Sequence, residues 1–336
     1  MGVWNYLNYP EGENQDRQND WELQKSYVDL VDKMGWTWIV LDAGWNIQLN
    51  DDFKDFMSYA KSKNVKVMVW ANIFTYFTTR ESTQIILDQW EDLGIEGVKI
   101  DFFDGQGEDA KSENAKMESQ QTLDMYEMFY QECAKRKMVV DCHGSNKPTG
   151  ERRKYPNVIN REAIRGNEFK NVNSSQTVLL PYIRGTVGPS DFTPATIPYY
   201  DNTVTLGHNL ALCILLESGM PTVSDVVSHY IDVNYEDFYK NLPVVWDDTK
   251  LVAGDLETYC VIARKSSDAW YIGGNVSNAK TVSFDLSFLD EGTYSLQGWV
   301  DGDTYTQVNV LNKDVTNKTK LEIPCAKGGG FALIIK

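Results

Sequence analysis

Histidine, paired cysteine and clustered basic charge are all scarce in this chain, and each scarcity closes off a class of chemistry. The three histidines, His143, His208 and His229, stand at separations that match no short metal-ligand motif. Five cysteines (Cys133, Cys142, Cys213, Cys260 and Cys325) are odd in number, scattered and without a CxxC pair, which argues against a zinc cluster or a disulfide framework. No GxGxxG or GxxxxGK[ST] stretch is present, so no nucleotide-binding loop is signalled. The 32 Lys and Arg are outnumbered by 48 Asp and Glu, and the net charge of −16 argues against nucleic acid as a partner, because phosphate binding needs clustered cations. No run of about 18 apolar residues occurs, and the opening MGVWNYLNYPEGENQ lacks the basic, apolar, small-residue order of an export signal. No membrane association is expected of these residues.

What is present is enough apolar material for a large core. Of 336 residues 42% are hydrophobic and 24% charged, which suits one large domain with a smaller one. Over the first two thirds, short apolar runs end in polar or aromatic clusters: WTWIVLDAGW at Asp42 and Trp45, VKVMVWAN at Trp70 and Asn72, GVKIDFFD at Asp101 and Asp104, MVVDCHGSN at Asp141 and His143. Amphipathic stretches lie between them. In NDWELQKSYVDLVDKMG, Leu23, Tyr27, Leu30, Val31 and Met34 share a face, and Asn19 with Glu22 resembles a capping box. Strands alternating with helices imply a parallel sheet, and about 250 residues of it fit an α/β fold of the (β/α)8 TIM type, with VWNYL as the first strand. From LPVVWDDTK onward only short alternating runs and turn residues remain. Residues 1–248 are therefore read as a (β/α)8 barrel and residues 249–336 as a small C-terminal antiparallel β-sandwich.

A barrel of this type carries its functional groups where the strands end. Asp42, Trp45, Trp70, Asn72, Lys99, Asp101, His143, Asn146, Lys147, Glu162 and Glu168 cluster at those positions, a set no apolar core would hold. Paired carboxylates beside Trp and Tyr rings are what cleavage of a glycosidic bond requires. Strict alternation in VKIDFFD puts Lys99 and Asp101 on one face and Asp104 on the other. Structural roles stay open for each: Asp as a helix cap, Trp70 as packing, His143 buried against a carbonyl instead of bonded to a sugar hydroxyl, and the Glu and Arg of INREAIRGNEF as surface ion pairs.

The stretches WELQKSYVDLVDKMGWTWIVLDAGW, GVKIDFFDG, DCHGSNKPTGERRKYPNVINREAIRGNE, GPSDFTP, HNLALCILLESGMP and GGGFALIIK resemble glycoside hydrolase family 97, with the block from His143 to Glu168 the most specific. The resemblance implies an exo-acting α-glycosidase of the retaining, α-galactosidase-like branch, with a small glycoside or oligosaccharide as its partner. It implies Asp101 as nucleophile, Glu168 as general acid, and calcium held by Glu162 and Glu168. Asp42, Trp45, Trp70, Asn72, Lys99, His143 and Lys147 are then the candidates for holding substrate. Family members carry an N-terminal β-sandwich that covers the barrel mouth and contributes a calcium ligand. These residues begin at the first barrel strand, so weakened calcium binding and an incomplete pocket are expected. The family's usual setting is the exported glycan-degrading apparatus of bacteria.

Gly144 separates the branches of that family. Its inverting members carry at that position a glutamate that acts as base, and the glycine here implies retention through Asp101, with carboxyl groups about 5 to 5.5 Å apart instead of the roughly 6.5 to 9.5 Å that inversion needs. The alternatives are an inverting α-glucosidase and a sugar-binding barrel with little or no turnover.

Overall fold

A computed structural model describes residues 1–7, 17–103, 117–169, 172–194 and 204–336. Seven parallel strands form one sheet: β1 (Gly2–Trp4), β2 (Trp38–Leu41), β3 (Lys66–Asn72), β4 (Gly97–Asp101), β5 (Val139–Cys142), β6 (Val158–Arg161) and β7 (Thr222–Val223). Their order is β6-β5-β4-β3-β2-β1-β7, so β7 returns to lie beside β1. Helices Trp21–Met34, Asp51–Ser62, Arg80–Asp92 and Gln120–Lys135 fall between successive strands, the alternation a TIM-type barrel requires. Between the outer strands the chain makes two further links. Asn160 Nδ2 donates to the Met220 carbonyl at 3.4 Å, just ahead of β7. The segment 187–192 lies on β6 through the Asp191 N–H, which donates to the Arg161 carbonyl at 3.0 Å.

The strands are short and apolar because both faces are covered. Trp4, Leu7, Trp38, Val40, Met68 and Met220 form a buried cluster, with Val139 and Ile159 packed against it. The first helix turns a buried stripe of Trp21, Gln24, Tyr27, Val28, Leu30, Val31 and Met34 toward the sheet. Its cap differs from the sequence expectation: Asp20, not Asn19, accepts from the Leu23 N–H at 3.0 Å. Starting one residue later brings Trp21 into the buried stripe, so packing chooses between two adjacent residues that cap equally well. Gly35 ends the helix at φ 67°, a left-handed conformation that glycine adopts without strain.

Two compact units interleave along the chain. Residues 1–165, 187–192 and 218–227 form the barrel unit; residues 166–186, 193–217 and 228–336 form the other. In the second unit, antiparallel strands from Asp248 to Ile335 make a six-stranded and a two-stranded sheet around a core that includes Val261, Ile272, Phe284, Leu321, Phe331 and Leu333. Helix Leu206–Leu215 is buried on every side in that unit, as its near-continuous apolar sequence demands. All five cysteines are buried and reduced. Among the described residues, no helix is long and apolar enough to cross a membrane.

Candidate active site

Register alone lines up a polar layer inside the barrel. Lys99 of β4 pairs with Asp141 of β5, and Asp141 pairs with Asn160 of β6; one step further along, Asp101 pairs with Asn72 of β3. Register partners on neighbouring strands point to the same side of a sheet, so this layer faces inward above the apolar cluster. Lys99 shows the direction. Its buried ammonium lies 2.9 Å from Asp42 Oδ2 and 3.5 Å from the centre of the Trp4 ring. The Asp42 N–H donates to Gln18 Oε1 at 2.8 Å, and Gln18 Nε2 donates to Asn5 Oδ1 at 2.8 Å, so the pair is held from behind.

Asp101 closes β4 with both carboxylate oxygens oriented. Oδ2 accepts from the Trp70 indole N–H at 2.9 Å, and Oδ1 from the Phe102 backbone N–H at 2.6 Å. Phe102 has φ 69° and Ala163, directly after Glu162, has φ 41°. Left-handed backbone on non-glycine residues is costly and gathers at functional sites, here one residue beyond each of two candidate carboxylates. Burial raises the Asp101 pKa above its ordinary value, while the charges of His143 and Lys99 and the two N–H donors oppose that rise without cancelling it.

His143 follows β5 and is enclosed by acids. Its backbone N–H donates to the Ile100 carbonyl at 2.8 Å, tying it to β4. Nε2 lies 2.8 Å from Asp191 Oδ2 and 3.9 Å from Asp141 Oδ2; Nδ1 lies 3.8 Å from Glu162 Oε1. Burial, and then Lys99, would pull the imidazole pKa down. Glu162, Asp191 and Asp141 outweigh both and lift it to about 10. Burial and then the charge of Asp191 push Asp141 well above the carboxylate range, which favours its protonated form. Asp191 stays low, because its bond to His143 and that ring's charge outweigh its own desolvation.

Gly144 leaves no room for a side chain. At φ 47°, a Cβ there would stand 2.8 Å from Asp101 Oδ1 and 2.8 Å from the Phe102 nitrogen. The glycine N–H donates to Glu162 Oε2 at 2.9 Å, and the Glu162 N–H donates to the Cys142 carbonyl at 2.7 Å.

The remaining candidates divide by what they touch. Trp45 is fully buried, edge-on to Trp90 and tilted against Phe53, with its indole N–H on the Trp70 carbonyl at 2.9 Å; its ring supports the wall of the barrel. Asn72 caps helix Ile73–Tyr76 by accepting from the Phe74 N–H. Asn146 is bonded to Arg161 and Tyr126 and serves the loop itself. Lys147 is exposed, and Glu168, half-buried, belongs to the second unit. Asp104 lies outside the described residues. Sequence reasoning did not single out Asp191. Its only signal is an acidic residue between Pro189 and Pro194 in GPSDFTP, a stretch that reads as loop.

The two buried carboxyl types can be separated by one substitution each. Asp141→Asn keeps the size and replaces a protonated acid with a neutral amide, and should cost under about 1 kcal/mol. Asp42→Asn leaves the Lys99 ammonium buried without its counter-charge, and should cost about 3 kcal/mol or more. Urea unfolding of both variants measures the difference; equal losses would contradict the neutral state of Asp141.

The family model described as Glycoside hydrolase 97 matches residues 3–164, and one described as Glycosyl-hydrolase 97 C-terminal, oligomerisation, matches residues 245–336. A retaining alpha-galactosidase of Bacteroides thetaiotaomicron is 29% identical over 96% of this chain and 53% of its own length. A probable retaining alpha-galactosidase of Streptomyces bingchenggensis is 32% identical over 93% of this chain and 49% of its own. The chain thus spans about half the length of these curated relatives. Among solved structures, a Glycoside Hydrolase Family 97 enzyme of Pseudoalteromonas sp. strain K8 in complex with acarbose superposes with a TM-score of 0.84 at 22% identity, over 99% of this chain and 60% of that one. A beta-arabinopyranosidase superposes with a TM-score of 0.82 at 25% identity, over 99% of this chain and 55% of that one.

Proposed function

The chain belongs to glycoside hydrolase family 97, and on that premise we propose that it hydrolyses terminal α-galactosides with net retention of configuration. One observation carries the stereochemical part of this reading. The oriented carboxylate of Asp101 stands where the next strand offers Gly144, with no side-chain carboxylate there and no space for a Cβ. A base at that position and a nucleophile in this pose exclude each other sterically.

In this reading Asp101 attacks the anomeric carbon while Glu168 protonates the departing glycosidic oxygen. The resulting ester is then cleaved by a water that gives its proton to Glu168. Trp70 and the Phe102 N–H each occupy one lone pair of Asp101, which fixes the plane of the carboxylate and leaves a lone pair on each oxygen. Asp42, Lys99, Trp70 and His143 are the residues that would recognise the sugar, and the exposed Lys147 would meet the outer part of a substrate. A small glycoside remains the partner this site suits. The description of the matching C-terminal family model supports self-association through that part of the chain.

Calcium fits the donor chemistry but not the donor count of the barrel unit. Carboxylate oxygens suit it, yet six to eight oxygens are needed and Glu162 is the one assigned ligand in that unit, with Oε2 already accepting from Gly144. Bound there, the ion would lend positive charge to the leaving-group side; no step above is routed through it.

Proton NMR of the first-formed sugar from an aryl α-galactoside should show the α anomer before mutarotation. Initial release of the β anomer would remove Asp101 from the nucleophile role. The pH profile supplies a second check. Because burial raises the Asp101 pKa above its ordinary value, its ionised form, and with it kcat/KM, should be lost on the acid side at a pH above that ordinary value. Lys99→Met removes a charge that pulls this pKa down, so the acid limb should move to still higher pH; a limb that stays in place or moves lower would show that Lys99 does not act on Asp101.

A further inference from the structure

We infer that Asp191 is a positioning residue that holds the His143 imidazole away from the nucleophile. The inference rests on the reading of Asp101 as nucleophile, and it concerns a residue on a segment that makes no strand pairing of its own.

Two contacts hold Asp191 in place: its backbone N–H donates to the Arg161 carbonyl at 3.0 Å, and its Oδ2 lies 2.8 Å from His143 Nε2. Asp191 and its neighbour Ser190 are buried, and Thr193, two residues on, has φ 54°, so the chain accepts a strained residue to bring this carboxylate inward. Which ring nitrogen of a histidine is committed is set by the partner of the other, and here the carboxylate commits Nε2.

The consequence follows from what else the ring could reach. A buried imidazole needs a partner, and the other carboxylates near this ring include Glu162, whose Oε1 lies 3.8 Å from Nδ1, and Asp101, whose pKa the His143 charge lowers. A Cβ on Gly144, the next residue along the chain, would stand 2.8 Å from Asp101 Oδ1, so the two segments run close together here. If Asp191 is lost, the ring turns to one of these acids. A hydrogen bond to Asp101 would occupy a lone pair that the nucleophile uses, and one to Glu162 would disturb its bond to Gly144, beside the nucleophile. Either outcome acts on the chemical step more than on sugar binding.

The test pairs a spectroscopic readout with kinetics. In the wild-type chain, proton NMR should show a far-downfield imidazole N–H resonance, which His143→Gln abolishes and thereby assigns. Asp191→Ala should also abolish it; if that variant does not fold, Asp191→Asn decides, and an unchanged resonance there overturns the inference. On an aryl α-galactoside, Asp191→Ala should lower kcat by about ten- to a hundredfold, the usual effect of removing the partner that orients a functional histidine, with KM changed by no more than about threefold. Asp191→Asn, which retains one acceptor oxygen, should fall between wild type and Asp191→Ala. A folded Asp191→Ala variant with unaltered kcat, or one whose loss lies wholly in KM, overturns the inference. Should the wild-type chain turn over no galactoside at all, the proposed activity fails, while the resonance and its dependence on Asp191 still decide the placement of His143.

Discussion

Charge buried at the ends of the barrel strands is the constraint to which the rest of the site answers. Moving one ion into a protein interior costs several kcal/mol even after relaxation, so Lys99 and His143 can be present only with acids fixed against them. Lys99 has Asp42, backed by Gln18 and Asn5; His143 has Asp191, with Asp141 Oδ2 3.9 Å from the same ring nitrogen. Below this layer, Trp38, Val40, Met68 and Met220 fill the barrel with apolar volume, so water has little to replace there. Asp101 sits above two cations that are already paired. It therefore feels their positive field without forming a short ion pair that would consume its oxygens.

Much of this was legible from alternation. VKID reads as a strand with Lys99 and Asp101 on one face, and the register of β3, β4 and β5 places both inside the barrel. The α/β alternation and the change to short strands near residue 248 are equally plain, because hydrophobic period is a local property. Asp191 was not legible. It enters the barrel on a segment with proline on both sides, bonded to β6 through its backbone N–H instead of paired as a strand, so no periodic signal marks it. Trp45 shows the opposite failure: an aromatic at a strand end looks ligand-facing, yet here it packs against Trp90 and Phe53. Side-chain direction past the last paired residue depends on loop geometry, which spacing does not encode.

Gly144 connects local sterics to reaction class. In the proposed reading, the choice between a carboxylate that attacks sugar and one that activates water is made by the few ångströms between β4 and β5. Chain geometry at φ 47°, the position of Asp101 Oδ1 and the bond from the glycine N–H to Glu162 all meet at that residue. Phe102 and Ala163, both left-handed, show that the backbone is strained beside both acids, and the pairing of β5 with β6 shifts register between Val140 and Asp141 just below.

The central claim is that Asp101 forms a covalent bond to the sugar. Incubation with a fluorinated α-galactosyl inactivator bearing a good leaving group, followed by proteolysis and peptide mass spectrometry, addresses it most directly. The account predicts one sugar adduct per chain, carried on Asp101 and absent from Asp101→Asn. An adduct on another carboxylate would contradict it, as would full turnover of natural substrate by Asp101→Asn.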